Sequence, residues 1–202
     1  MLNDAVLAEY RSVRNEIEQA NGQVFTVLSS SLALNMVVLG WLFGKERSSE
    51  FFALPTIGIL LLLCGTIILL NRNRGAHRLA YFQKYFIESR IPDICWARIY
   101  FEYRVRYPIA GFDTGFAERL AESGAYVLIA AGMVNIVILA ILGLLPLVKS
   151  GSTDIDWVQV ANFAIALVLI GLQIRFVRVM VDYRPIDATI RRLAEQTGLT
   201  IS

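Results

Sequence analysis

Four long stretches without a charged residue constrain the fold of this chain more than any other feature. A helix needs roughly 20 apolar residues to cross a hydrocarbon core about 30 Å thick. The sequence therefore predicts membrane spans over residues 24–44, 52–71, 124–147 and 157–175. A soluble core is a poor alternative, because a chain of 202 residues that is 56% hydrophobic could not cover four such helices with polar protein. We predict an all-α, four-helix transmembrane protein.

The basic residues are distributed unevenly between the two sides of these spans. The N-terminal, central and C-terminal segments, counted together with Arg175 at the end of the fourth span, contain 16 Lys and Arg, whereas the two short connections within the hairpins contain 3. Because basic residues concentrate on the cytoplasmic side, both termini should be cytoplasmic. The predicted organisation is a cytoplasmic amphipathic helix (1–23), a transmembrane hairpin (24–71), a cytoplasmic helical region (72–123), a second hairpin (124–175) and cytoplasmic C-terminal helices (176–202).

The segments outside the spans have helical patterns of their own. The first 19 residues mix acids and arginines along an apolar face, unlike a cleavable signal sequence, so we expect them to remain in the mature protein. The second span should continue as a helix until Pro92 ends it, followed by a helix over 94–107 and a loop with a possible cap at Asp113 or Thr114. Pro185 should begin a short C-terminal helix.

Small and weakly polar residues define one face of the first span. At 100° per residue they fall within a narrow arc, which suits close contact between helices. We predict a helix-packing role for these positions and for two glycines of the second span: Thr26, Ser29, Ser30, Ala33, Gly40, Gly58 and Gly65.

Three of the four spans also contain a side-chain amide. The polar positions that we predict to line a pore are Ser31, Asn35, Asn135, Asn162 and Gln173. Ser31 and Asn35 point away from the small-residue face, and we expect them to face the central axis of an oligomer. The alternative is interhelical hydrogen bonding, worth about 0.6–2 kcal/mol per bond in such settings. The absence of charge within the spans argues against a proton relay or an ion-coupled transporter.

A basic cluster follows the second span and the fourth. As candidates for a basic or gating surface on the cytoplasmic side we single out Arg72, Arg74, His77, Arg78, Arg175 and Arg178. They could bind a phosphate-bearing ligand, but attraction to anionic lipid, about 1 kcal/mol per charge, is the favoured interpretation.

Catalytic chemistry has no support in the sequence. His77 is the only histidine, Cys64 and Cys95 fall at different depths, and none of the motifs of common hydrolases, nucleotidases or metalloproteases is present. We expect no enzyme activity, no cofactor, no metal site and no DNA binding.

The two hairpins show weak internal similarity. "NMVVLGWLFG" from Asn35 matches "NIVILAILG" from Asn135, and "LLLLCG" ending at Gly65 matches "ALVLIG" ending at Gly171. Two spans per copy would give both copies the same orientation, as in parallel repeats, although apolar helices also resemble one another by chance.

The first half of the chain resembles a known class of bacterial membrane protein. The segment "EYRSVRNEI" runs into a span, followed by a tight outer turn, a second span and a long helical extension, and this layout over residues 1–106 resembles SLATT-type proteins. The resemblance implies an oligomeric pore-forming effector of the bacterial inner membrane, associated with antiviral defence and triggered by a cytoplasmic protein or nucleotide. The third and fourth spans are additional to the two-span layout.

Two functions follow as hypotheses. The first is a homo-oligomeric channel or pore gated from the cytoplasm, and the second is a non-conducting membrane sensor or anchor that recruits a soluble partner. In the second, the amides would only hold the helices together.

Overall fold

Long helices make up the regular structure of the described residues. The computed structural model describes residues 2–44, 53–90, 97, 123–150 and 157–197, and within these ranges it contains no strand. The helices are α1 (Leu2–Gly44), α2 (Leu54–Phe82), α3 (Ala125–Ser150), α4 (Trp157–Met180) and α5 (Arg184–Gln196), and a π-helix (Gln83–Ile87) follows α2 directly. Four helices are long and apolar enough to cross a membrane, as predicted.

The first two helices are longer than a membrane span requires. α1 has 43 residues, so the predicted amphipathic helix and first span form one uninterrupted helix about 65 Å long. This exceeds the thickness of a hydrocarbon core, and the charged N-terminal half therefore extends beyond the apolar segment. α2 likewise continues past its last apolar turn into the π-helix.

A short break separates the fourth long helix from the C-terminal one. α4 ends at Met180, and α5 begins at Arg184 with Pro185 in its first turn, where a proline costs no hydrogen bond. The predicted helix over 94–107 lies outside the described residues except for Ala97, and so do the loop after it and the candidate caps Asp113 and Thr114. Of the two short outer connections, only residues 148–150 are described, and their backbone continues α3.

The chain divides into two compact units. The span unit comprises Thr26–Leu69 and Gly124–Val179, and the charged unit comprises Met1–Phe25, Leu70–Ser123 and Met180–Ser202. Each has its own apolar core. That of the span unit is built from α2, α3 and α4 around Ile59, Leu139, Ala166 and Ile170.

The core of the charged unit joins α1 to the end of α2. Val13 and Ile17 of α1 are buried against Ala80 and Ile87, so the apolar face predicted for the N-terminal helix is covered within the chain. The π-helix also contacts α5. There the Tyr85 hydroxyl donates a hydrogen bond of 2.7 Å to Asp187.

Three buried glycines allow the helices of the span unit to approach closely. A Cβ added at Gly58 would lie 2.5 Å from Asn35 Oδ1, and one added at Gly132 would lie 2.5 Å from the Cδ1 atom of Ile170. A Cβ at Gly65 would overlap the Ser31 side chain. Each glycine is therefore a contact surface for a side chain of another helix.

Gly65→Ala should destabilise the protein, whereas Gly40→Ala should not. The new methyl group at position 65 displaces Ser31 and over-packs the contact between α1 and α2, at a cost of about 1–3 kcal/mol. Gly40 has no atom within 4 Å of the added Cβ, so alanine there should be neutral or stabilising through its higher helix propensity. Thermal unfolding of both variants in detergent measures the difference, and equal melting temperatures would contradict the packing.

Candidate functional site

A hydrogen bond between two asparagines lies in the interior of the span unit. The Asn135 Nδ2 group on α3 donates to Asn35 Oδ1 on α1 over 2.8 Å. Asn35 is 3% exposed and Asn135 is fully buried. Gly58 of α2 faces both amides, since its Cβ would lie within 3.1 Å of Asn135 Nδ2. Three helices therefore meet at this pair.

A second buried amide links α4 to α2. Gln173 Nε2 donates to the Thr66 hydroxyl over 2.7 Å, and that hydroxyl donates its own proton to the backbone carbonyl of Leu62 over 2.8 Å. Gln173 and Thr66 are both fully buried. Gly132 of α3 leaves room for the Gln173 side chain, because a Cβ there would lie 3.5 Å from Oε1.

The remaining two predicted pore-lining residues make local or backbone contacts. Ser31 is buried and donates its hydroxyl proton to the Val27 carbonyl over 2.7 Å, which satisfies it within α1. Asn162 is half-buried, and its backbone carbonyl accepts a hydrogen bond of 3.5 Å from Thr56.

The two predicted faces of the first span have opposite environments in a single chain, one buried and one exposed. Ser31 and Asn35 are buried against helices of the same chain, so the side that was expected to face an oligomer axis faces the interior of the span unit. All five small-residue positions predicted to pack are exposed: Thr26, Ser29, Ser30, Ala33 and Gly40. Gly58 and Gly65 do pack. A role for the exposed positions in contacts between copies stays a prediction, as does pore lining.

The predicted basic residues are divided between the two units. Arg72, Arg74, His77 and Arg78 belong to the charged unit, and Arg175 and Arg178 to the span unit. Arg74 and His77 are half-buried, and the other four are exposed. Within the charged unit, Arg74 Nη1 lies 3.0 Å from the Met180 sulfur, and the His77 ring stacks on Tyr183 with 3.8 Å between ring centroids.

Sequence reasoning missed the polar contacts around the π-helix. Buried Glu88 accepts hydrogen bonds from Gln83 Nε2 over 3.0 Å and from the Ala97 backbone N–H over 2.6 Å. Burial, reinforced by the hydrogen bond to Asp187, raises the pKa of Tyr85 well above its usual range. No sequence signal marks these hydrogen bonds. Tyr85 and Asp187 are far apart along the chain, and the bond between Gln83 and Glu88 depends on the π-helical turn. Thr66, beside Gly65 in a span, could have been noticed.

Comparisons with known proteins add no relative. No protein-family model, no curated protein and no solved structure matches the chain. Across the described part of the chain, no group of three or more His, Cys, Asp or Glu side chains could hold a metal ion.

Replacing both asparagines should cost less than the sum of the single replacements. Asn35→Leu or Asn135→Leu alone leaves one buried amide without its cross-helix partner, whereas the double variant removes both amides. The expected coupling is about 0.6–2 kcal/mol in a double-mutant cycle measured by denaturant unfolding in detergent. As a control, Asn35→Leu combined with Asn162→Leu should be additive, since no hydrogen bond joins those side chains. Zero coupling between Asn35 and Asn135 would contradict the pair.

Tyr85→Phe should destabilise the charged unit and alter its alkaline stability. Loss of the hydrogen bond to Asp187 should cost about 1–3 kcal/mol. In the unfolded chain the tyrosine ionises near pH 10, but the folded protein holds the proton to higher pH. Stability contributed by protonated Tyr85 is therefore fully present below about pH 10 and falls as the pH rises above it.

This alkaline loss should be smaller in Tyr85→Phe than in the wild type. Urea unfolding monitored between pH 8 and 11 on the full chain measures it, with Tyr126→Phe as the control, because Tyr126 is exposed. Identical pH profiles for the wild type and Tyr85→Phe would contradict the burial of a protonated Tyr85.

Proposed function

We propose that the chain is a multi-pass protein of the bacterial inner membrane that anchors its charged unit at the cytoplasmic face, where this unit recruits a soluble partner. The observation that carries the proposal is the hydrogen bond between Asn35 and Asn135 inside one chain. Amides that bond to each other in the interior of the span unit act as interhelical connections. This supports the anchor over the channel, the other function that the sequence suggests.

The exposed surface of the span unit also favours lipid over water. Apart from Arg175 and Arg178 near the end of α4, many of the large side chains that it presents are apolar. They include Leu34, Met36, Val37, Val134, Val137 and Val168. Such a surface suits the hydrocarbon of a bilayer. The apolar core around Ile59 and Ile170 closes the interior of the unit.

The proposed orientation places both termini and the charged unit in the cytoplasm. The positive-inside rule supports it, because the segments assigned to that side contain most of the basic residues. A fluorescent protein fused after Ser202 should fold and fluoresce in the cytoplasm, and a periplasmic phosphatase fused at the same point should be inactive. The reverse pattern would overturn the orientation.

The second candidate function is an oligomeric pore-forming effector with a role in antiviral defence. One observation favours it: the small-residue positions of α1, which are Thr26, Ser29, Ser30, Ala33 and Gly40, are exposed in the single chain. Helices associate in membranes through such surfaces. A pore would then form between copies of the chain, and a cytoplasmic protein or nucleotide would trigger it.

Ion flux through purified protein distinguishes the two functions. In proteoliposomes loaded with a potassium-sensitive dye, we expect the wild type and Asn35→Leu to show the leak of protein-free vesicles, because the amides serve packing. Expression in bacteria with a membrane-potential dye should likewise show no depolarisation. The opposite result would be ion flux in the wild type that is lost in Asn35→Leu. If size-exclusion chromatography with light scattering shows that the variant is still assembled, this result would contradict the anchor function and support the pore.

A further inference from the structure

Two amide oxygens in the interior of the span unit accept no hydrogen bond from the described residues. They are Asn135 Oδ1 and Gln173 Oε1, and both side chains are fully buried. A carbonyl oxygen buried in an apolar bundle without a donor is costly, and native proteins rarely leave one in that state. The two oxygens therefore require donors that the described part of the chain does not supply.

Turning the Gln173 amide over would not satisfy both of its polar ends. Thr66 has one hydroxyl proton. While the hydroxyl donates this proton to the Leu62 carbonyl, it accepts from Gln173 Nε2 and leaves Oε1 without a donor. If the hydroxyl donated to Oε1 instead, the amide N–H groups would lose their acceptor.

The asparagine pair also leaves one amide oxygen without a hydrogen-bond donor. A single contact between two amides joins one N–H to one oxygen, here Asn135 Nδ2 to Asn35 Oδ1. Reversing both amides would exchange the roles and leave the oxygen of Asn35 in place of that of Asn135. An additional donor is needed in either arrangement.

The chemistry around these oxygens selects the donor. No Asp or Glu falls within the four predicted spans, so a cation would be buried without a counter-charge. The donor also has to be small, because the neighbouring Ile170 side chain already fills the space over Gly132. Water is neutral, small and a donor, and buried waters commonly bind polar groups that lack another partner.

We propose that Asn135 Oδ1 and Gln173 Oε1 bind internal water and form a hydration site within the span unit. The two residues belong to α3 and α4, and both oxygens lie near the face of α3 that carries Gly132 and Asn135, one turn apart. The inference uses the membrane assignment, but it does not depend on whether the protein is an anchor or a pore.

Water-edited solid-state NMR on the full wild-type chain in proteoliposomes tests the proposal. Magnetisation is transferred from water protons to the side-chain amide carbons of Asn135 and Gln173, which are assigned from the signals missing in Asn135→Leu and Gln173→Leu and, independently, from three-dimensional correlation spectra. We expect both carbons to gain signal as fast as the amide carbon of Gln19, which is exposed.

Carbons of the apolar core provide the slow reference. Ile59 is fully buried and carries no polar side-chain atom, so its methyl signals should build up slowly. If the Asn135 and Gln173 carbons build up as slowly as Ile59, the hydration site does not exist. A vesicle flux measured on the same sample addresses the proposed function separately, because an internal water site requires no conduction.

Discussion

Polar amides buried among apolar helices are the constraint on which the span unit depends. Lipid is as apolar as leucine, so helices in a membrane gain little from hiding apolar side chains and rely on close packing and hydrogen bonds. Asn135 and Asn35 provide such a bond between α3 and α1, and Gln173 and Thr66 provide another between α4 and α2. Gly58, Gly65 and Gly132 let the helices approach closely enough for these side chains to meet. Every helix of the unit takes part in at least one of the two bonds.

Contacts between the two halves of the chain follow the offsets of the suggested repeat. Asn35 and Asn135 occupy equivalent positions 100 residues apart and bond to each other. Thr56 and the Asn162 carbonyl are 106 residues apart, which is the offset of the second match. In a two-fold arrangement, equivalent residues meet where they lie near the axis. The two contacts are those expected where equivalent positions of two similar hairpins face each other.

The fold could be predicted largely from the sequence, whereas the environment of each helix face could not. Charge-free length alone predicts four spans, and Pro185 predicts the start of α5. Helical periodicity also separates Ser31 and Asn35 correctly from the small-residue face of α1. It does not say which face meets the neighbouring helices, because hydrophobicity does not distinguish a helix neighbour from lipid.

The location of the buried amides could not be predicted for the same reason. Asn35 was expected to face a pore between copies, but it lies within the chain, and only the spatial proximity of Gly58 and Asn135 explains why. The π-helix and the contact of Tyr85 with Asp187 have no periodic signature either. The hydrogen bond joins side chains that are 102 residues apart in sequence.

The energetic scale of these bonds bears on how an anchor and a pore could be related. If a pore formed by exchanging a hydrogen bond within one chain for the same bond between two copies, the number of bonds would not change. Each such bond is worth only about 0.6–2 kcal/mol. Converting a population from 99% closed to 99% open takes about 5.5 kcal/mol of differential binding. Loss of the two amide bonds, about 1–4 kcal/mol together, would account for only part of that, and the apolar core around Ile59, Leu139 and Ile170 would also have to rearrange. A soluble partner that bound the charged unit equally well in both states could not supply this energy. A pore would therefore require a trigger that recognises the rearranged helices, whereas recruitment of a partner by an anchor requires no rearrangement.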